Sequence, residues 1–359
     1  MRRRVRLMAA LAVLTMIAAA CASNTGGGGG SSGSASEMPG AGMSGCEVTD
    51  TGGIDDKSFN ATAWKGLQEA QTKLGITAKY LESQSQQDYA PNIDAFVQQK
   101  CDLIVPVGFF LGDATKASAK KNPDQKYAIV DFAYDPEPKN ILGLTFATDQ
   151  AAFLAGYLAA GMTQSGKVGT FGGANIPPVT IYMNGFWAGV QKYNQDNNTN
   201  VQVLGWDATK QNGTFTGDFE NQDNGRRVTE DLISEGADIV LPVAGPVGLG
   251  AAAAAQNAGG VDLIWVDTDG CLSASNYCSL FLTSVMKNMD VAVYGAMKSV
   301  VDGTFKGGVY SGTLENNGVG IAPYHDFSSK VPSELQSKID SLKQDIISGN
   351  VSVDYKDYE

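Results

Sequence analysis

From residue 46 onward, short apolar runs alternate with helical patterns, and this alternation restricts the chain to an α/β fold with parallel sheets. Strand patterns are expected at 46–50, 76–81, 102–107, 127–132 and 141–146, and a second series at 167–171, 201–206, 238–243, 263–267 and 280–284. The run 102–108 (Asp-Leu-Ile-Val-Pro-Val-Gly) is almost continuously apolar, as a strand covered on both faces requires. The two series predict two lobes divided near Thr148: a first lobe of 46–148 plus about 268–305, and a second of 149–267 plus about 306–359. An amphipathic helix over 331–347 carries Leu335, Ile339, Leu342 and Ile346 on one face, enough to cover a sheet edge.

Several strands end in Asp or Gly: Asp50, Gly108, Asp131, Gly172, Asp207, Gly245 and Asp267. Ligands of open parallel sheets lie beyond the carboxyl ends of the strands. Two such lobes facing each other form a cleft with polar groups converging from both sides, the architecture of a hinge-closing binding protein.

The ends of the chain bear on where such a body works. Residues 1–20 read as an export signal, with Arg2, Arg3, Arg4 and Arg6, an apolar run from Leu7 to Ile17, and Ala18-Ala19-Ala20 before Cys21. The apolar run is shorter than the ~20 residues of a spanning helix. Small residues ahead of a cysteine resemble a bacterial lipobox, so Cys21 is the expected lipidation site; a plain cleavage site is the alternative. Residues 21–45, rich in Gly and Ser, then form a flexible tether.

The formal charge is −12, from 26 basic and 38 acidic residues; without the four leader arginines it is 22 against 38, or −16. Such an excess repels phosphate backbones and argues against nucleic acid as a partner. Removing Cys21 from five cysteines leaves an even four, in an exported chain where disulfides persist. Cys271 and Cys278 bracket a loop, while Cys46 and Cys101 begin the first and third strands, neighbours in a doubly wound sheet; both bridges are expected. With one histidine, His325, and no C-x-x-C pair, no metal site is expected.

The stretch Thr49 to Asn60, TDTGGIDDKSFN, resembles the opening signature of the basic membrane protein family of substrate-binding lipoproteins, purine-nucleoside receptors of ABC importers. Further strings agree in order: DQAAFLAGYLAA from Asp149, KVGTFGG from Lys167, NGFWAGV from Asn184, WVDTDG from Trp265 and TSVMKNMDVAVYGA from Thr283. The resemblance spans 46 to about 325. It implies a two-lobed periplasmic-binding-protein-like fold of type I, with the ligand between the lobes. It further implies a lipid-anchored protein on the extracytoplasmic face of the cell membrane that captures a nucleoside, a purine favoured, for a permease and its ATPase. A monomer without cofactor is expected.

On that pattern Phe59 and Phe186 would sandwich the base from opposite lobes, although Phe59 also lies near the stripe of Ala63 and Leu67, where a core role competes, and Phe186, with Trp187 beside it, carries the same ambiguity. Asn60 can read a base edge or serve the helix start. Asp50 and Asp131 can accept protons from a purine's N–H groups; either is equally a turn residue. Asp267 can accept from vicinal ribose hydroxyls, with Lys287 offsetting its charge, Gly245 bringing backbone close to the sugar, and Asp269 a second choice for the same role. Asp55, Asp56 and Lys57 shape the turn.

Catalytic readings find no support: from residue 46 onward there is no G-x-S-x-G elbow, no H-E-x-x-H and no Walker pattern, and Gly245-x-x-Gly248-x-Gly250 lacks the order of a dinucleotide loop. A sugar or another small polar metabolite is the alternative ligand. A nucleoside hydrolase or dehydrogenase is the more distant alternative.

Overall fold

A computed structural model describes residues 38–358; the leader, Cys21 and most of the tether lie outside the described residues. In chain order the elements are β1 (Ser44–Val48), α1 (Phe59–Leu74), β2 (Thr77–Leu81), α2 (Tyr89–Gln98), β3 (Leu103–Pro106), α3 (Gly112–Lys121), β4 (Lys126–Val130) and β5 (Ile141–Phe146). Then come α4 (Thr148–Met162), β6 (Lys167–Gly172), α5 (Pro177–Asn197), β7 (Gln202–Leu204), the small hairpin β8 (Trp206–Asp207) and β9 (Asn212–Gly213), α6 (Gln222–Ser234) and β10 (Ile239–Val243). The chain ends with α7 (Gly248–Ala258), β11 (Asp262–Asp267), α8 (Gly270–Ser273), β12 (Phe281–Lys287), α9 (Met289–Val301), β13 (Gly308–Gly312), β14 (Val319–Ile321) and α10 (Ser333–Ile347).

Two six-stranded sheets result. The first has the order β13-β5-β4-β3-β1-β2, all neighbours parallel; the second has the order β14-β12-β11-β10-β6-β7, parallel but for β14. Both are doubly wound, as the alternation predicts. The lobe boundaries differ from the sequence reading in three places. Residues 281–287, expected in the first lobe, form β12 of the second sheet, because β12 pairs with β11 over Leu263–Asp267. Residues 308–312, expected in the second lobe, form the edge strand of the first sheet against β5. Residues 38–45 belong to the body rather than the tether: the Gly40 N–H donates to the Leu74 carbonyl at 2.7 Å and the Thr77 N–H to the Met43 carbonyl at 2.8 Å. The chain crosses between sheets at β5–α4, β12–α9 and β13–β14, a three-strand connection.

The cores follow the layers. Cys46, Val48, Phe96, Ile104 and Tyr127 fill one face of the first sheet, and Phe171, Leu232, Trp265 and Phe281 one face of the second. The largest cluster runs from α1 and α9 to α4 and α5. Helices α4 and α5 touch at their backbones, since a β-carbon at Gly156 would collide with the Phe186 carbonyl, and one at Gly185 or Gly189 with the carbonyls of Asp149 or Phe153. The motifs FLAGYLAA and NGFWAGV are thus a packing code. Both expected disulfides are formed, Cys46–Cys101 between β1 and the residues leading into its neighbour β3, and Cys271–Cys278 from α8 to the turn that follows it. Among the described residues no helix is long and apolar enough to cross a membrane.

Candidate functional site

The carboxyl ends of β1, β3 and β4 face those of β10, β11 and β12 across a cleft of about 600 Å³, open mouth included. Asp50, Phe59, Asp131, Gly245, Asp267 and Lys287 all line it, six of the eight residues chosen from sequence, and the strand-end rule accounts for Asp50, Asp131, Gly245 and Asp267. Asn60 and Phe186 do not line it.

At the β1 end, Asp50 accepts hydrogen bonds from the described residues at one oxygen only, Oδ1, from the Gly52 N–H at 3.0 Å and from Asn60 Nδ2 at 2.7 Å. Burial pushes its carboxyl above the usual range. Asn60 is fully buried and spends its amide on Asp50 and Asp56, while its oxygen accepts from the Asp50 N–H at 3.3 Å. It therefore orients Asp50 and cannot read a ligand, a correction to the sequence reading. Asp56 does shape the turn: it accepts from the N–H groups of Ser58 (3.0 Å), Asn60 (2.7 Å) and Ala61 (3.0 Å), satisfying the open donors of α1. It also reaches the cleft wall, and burial pushes its carboxyl up to about 7.

Asp131 and Asp267 both sit in left-handed backbone, at φ +65° and +69°. That region is sparsely used by residues with a side chain and costs roughly 1–2 kcal/mol. Lys287 pairs with Asp131, Nζ to Oδ2 at 2.5 Å, not with Asp267 as the sequence reading has it. The partners come from opposite lobes and are almost wholly enclosed, their side chains 2% and 8% exposed. The ammonium also lies 4.7 Å from the centre of the Phe59 ring and 5.4 Å from that of Phe146, so its apolar neighbours contribute as π faces. Asp267 accepts from the Tyr182 hydroxyl at Oδ1, 2.8 Å, and from Ser58 Oγ at Oδ2, 2.7 Å. Burial, then the Asp267 carboxylate, push the Tyr182 phenol well above its usual range, which keeps it a donor.

Phe186 is completely buried in the α4–α5 interface, so it is no base partner. It lies on the right face of α5 but one turn too deep: Tyr182 and Val179, on the same stripe nearer the helix start, line the cleft instead. The reason is the glycine-mediated helix contact, which seals everything beyond the first turns of α5. Tyr182 was legible as the aromatic four residues earlier. Phe109 and Phe110, also in the lining, directly follow the strand-end Gly108, and the same edge rule points to them. Phe219 comes from an irregular stretch with no periodic signal. Gly245 has φ +54° with nothing near its missing β-carbon, so backbone conformation rather than crowding demands glycine.

Asp269 is turned away from the cleft. It caps α8 by accepting from the Cys271 N–H at 3.0 Å and meets His325 Nε2 at 2.7 Å. Asp269, Cys271 and His325 form a trio of potential ligand atoms, but the Cys271 sulfur is committed to its disulfide and cannot serve as a thiolate ligand.

Two doubly wound lobes, joined by three crossings and closing on a cleft of strand-end carboxylates and aromatic rings, define a two-lobed solute-binding protein. The family model described as "ABC transporter substrate-binding protein PnrA-like" matches residues 44–357, and the chain belongs to this family. It is 31% identical over 332 residues to the "ABC transporter nucleoside-binding protein BmpA" of Lactococcus lactis, covering 86% of this chain and 88% of that one. It is 32% identical over 327 residues to the "CD4+ T-cell-stimulating antigen" of Listeria monocytogenes, covering 86% and 87%. The structure of an ABC transporter solute-binding protein from Aeropyrum pernix superposes with a TM-score of 0.77 at 27% identity, covering 86% of this chain and 92% of that one.

Proposed function

We propose that the chain is a lipoprotein anchored through Cys21 on the extracytoplasmic face of the membrane. It captures a nucleoside, a purine favoured, as a monomer, and passes it to an ABC permease driven by a separate ATPase. The observation that carries the reading is the composition of the cleft. Aromatic rings come from both lobes, Phe59 and Phe109 from the first and Tyr182 and Phe219 from the second, beside carboxylates that only accept. A base offers a flat apolar face with an N–H edge, and a ribose offers donating hydroxyls. Asp50 Oδ2 carries no hydrogen bond from the described residues and is free for the base edge, and Asp267 stands where the sugar would be read. The Lactococcus relative, a nucleoside-binding protein by name, supports the same ligand class.

Native mass spectrometry of the purified protein, followed by calorimetry with a panel of purine and pyrimidine nucleosides, tests this. One nucleoside bound per chain, released unaltered, is the expected result. Free base appearing with turnover, or tighter binding of free sugars than of any nucleoside, would overturn it.

A further inference from the structure

Ser58 occupies the position just before α1, where serine ordinarily caps the helix with its hydroxyl. Here it makes no side-chain cap, because Asp56 has taken over that role. The freed hydroxyl is fully buried and turned across the cleft onto Asp267 Oδ2. Tyr182, 2% exposed, holds the other oxygen from the Asp267 side of the cleft. Asp267 is itself 6% exposed, and no basic side chain among the described residues pairs with it, since Lys287 is committed to Asp131. A buried carboxylate without a cation needs hydrogen bonds to its remaining lone pairs. Two are supplied by the protein, one per oxygen, which leaves one acceptor position on each.

We propose that Tyr182 and Ser58 are positioning residues that brace Asp267 as a two-pronged acceptor for a vicinal diol, and so make the site selective for ribonucleosides over ligands lacking the 2′ and 3′ hydroxyls. The inference rests on the nucleoside reading above and adds to it the source of sugar selectivity. A cis-diol donates two hydrogen bonds at a spacing that suits the two oxygens of one carboxylate, and fixing the carboxylate's rotation removes the cost of orienting it on binding. Ser58 belongs to the first lobe and Asp267 to the second, so the acceptor is complete only when the lobes are together.

The test is calorimetry on the full chain with inosine, guanosine and adenosine, each beside its 2′,3′-dideoxy counterpart. The wild type should prefer the ribose form by at least about thirtyfold, and Asp267→Asn should bring the ratio close to one. Tyr182→Phe keeps the ring and removes only the hydroxyl. It should cut the preference about fivefold or more by weakening the ribose form, with dideoxy affinity unchanged within about twofold. Ser58→Ala, which disturbs no helix cap, should act in the same direction. Equal weakening of both forms would mean that Tyr182 only packs, and unchanged affinity for both would mean that the braces are idle; either result overturns the proposal. A wild type that binds both forms alike overturns it while leaving nucleoside capture intact. A wild type that binds none of the six refutes the nucleoside reading and this proposal together.

Discussion

Strands β4 and β11 hold the same place in their two sheets, third from the β13 or β14 edge, and each leads into an aspartate with left-handed backbone, Asp131 and Asp267. The lobes then treat these twin carboxylates differently. Asp131 is neutralised by an ammonium from the other lobe. Among the described residues Asp267 receives only hydroxyls, one from each lobe. The charge of Asp131 is compensated across the lobes, while that of Asp267 meets hydroxyl donors and no cation among the described residues. The same backbone device thus has two outcomes, decided by what the opposite lobe presents.

The sharpest way to break this contrast is to remove the cation. Lys287→Met leaves Asp131 enclosed without compensation and should cost about 3–5 kcal/mol in chemical denaturation. Adding Asp131→Asn should recover most of that loss. If Lys287→Met is as stable as the wild type, the pair does not hold the lobes. Phe186→Ala comes next and separates packing from recognition within the second lobe. It should lose about 3–5 kcal/mol through a cavity at the α4–α5 contact, while nucleoside affinity of the folded protein stays within about twofold. A selective loss of affinity there would return Phe186 to the site.

Asp267→Ala and Phe59→Ala, one from each lobe, should each weaken nucleoside binding at least about tenfold with little change in melting temperature. Unchanged affinity in both would dismiss the site. The smallest effect concerns the β1–α1 corner of the first lobe. Glu47 is completely buried with neither carboxyl oxygen hydrogen-bonded by the described residues, and burial pushes it well above the ordinary 4.5; burial also raises Asp50, and takes Asp56 from 3.8 to about 7. Between their unfolded and folded values, Glu47 and Asp56 hold protons in the folded chain that the unfolded chain has released. Stability should therefore fall as pH rises from about 4 through the folded-state values, with the Asp56 share of the loss complete above about 7. Scanning calorimetry from pH 5 to 8 should show a falling melting temperature, and Glu47→Gln should flatten the slope. A rising temperature over that range would refute the assignment.

Much of the edge chemistry was legible because a parallel strand has only one ligand-facing end. Asp50, Gly108, Asp131, Gly245 and Asp267 are each located by that rule without knowledge of packing. Helix faces carry no such marker of depth. Phe186 and Tyr182 share a stripe on α5, and only the backbone contact at Gly156, Gly185 and Gly189 decides which of them is sealed and which meets the cleft. Asn60 illustrates the same limit at shorter range, since its amide is claimed by carboxylates four and ten residues away.

By itself, then, the sequence determined two α/β halves, the strand ends that face each other, the two disulfides and the family, all of which depend on local pattern or neighbouring strands. Only the tertiary structure decided that Lys287 answers Asp131 rather than Asp267, that 308–312 returns to the first sheet, and that Ser58 and Tyr182 meet on one carboxylate. Those pairings join residues 85 to 209 positions apart. Their energies depend on distance and burial in space, which no spacing along the chain encodes.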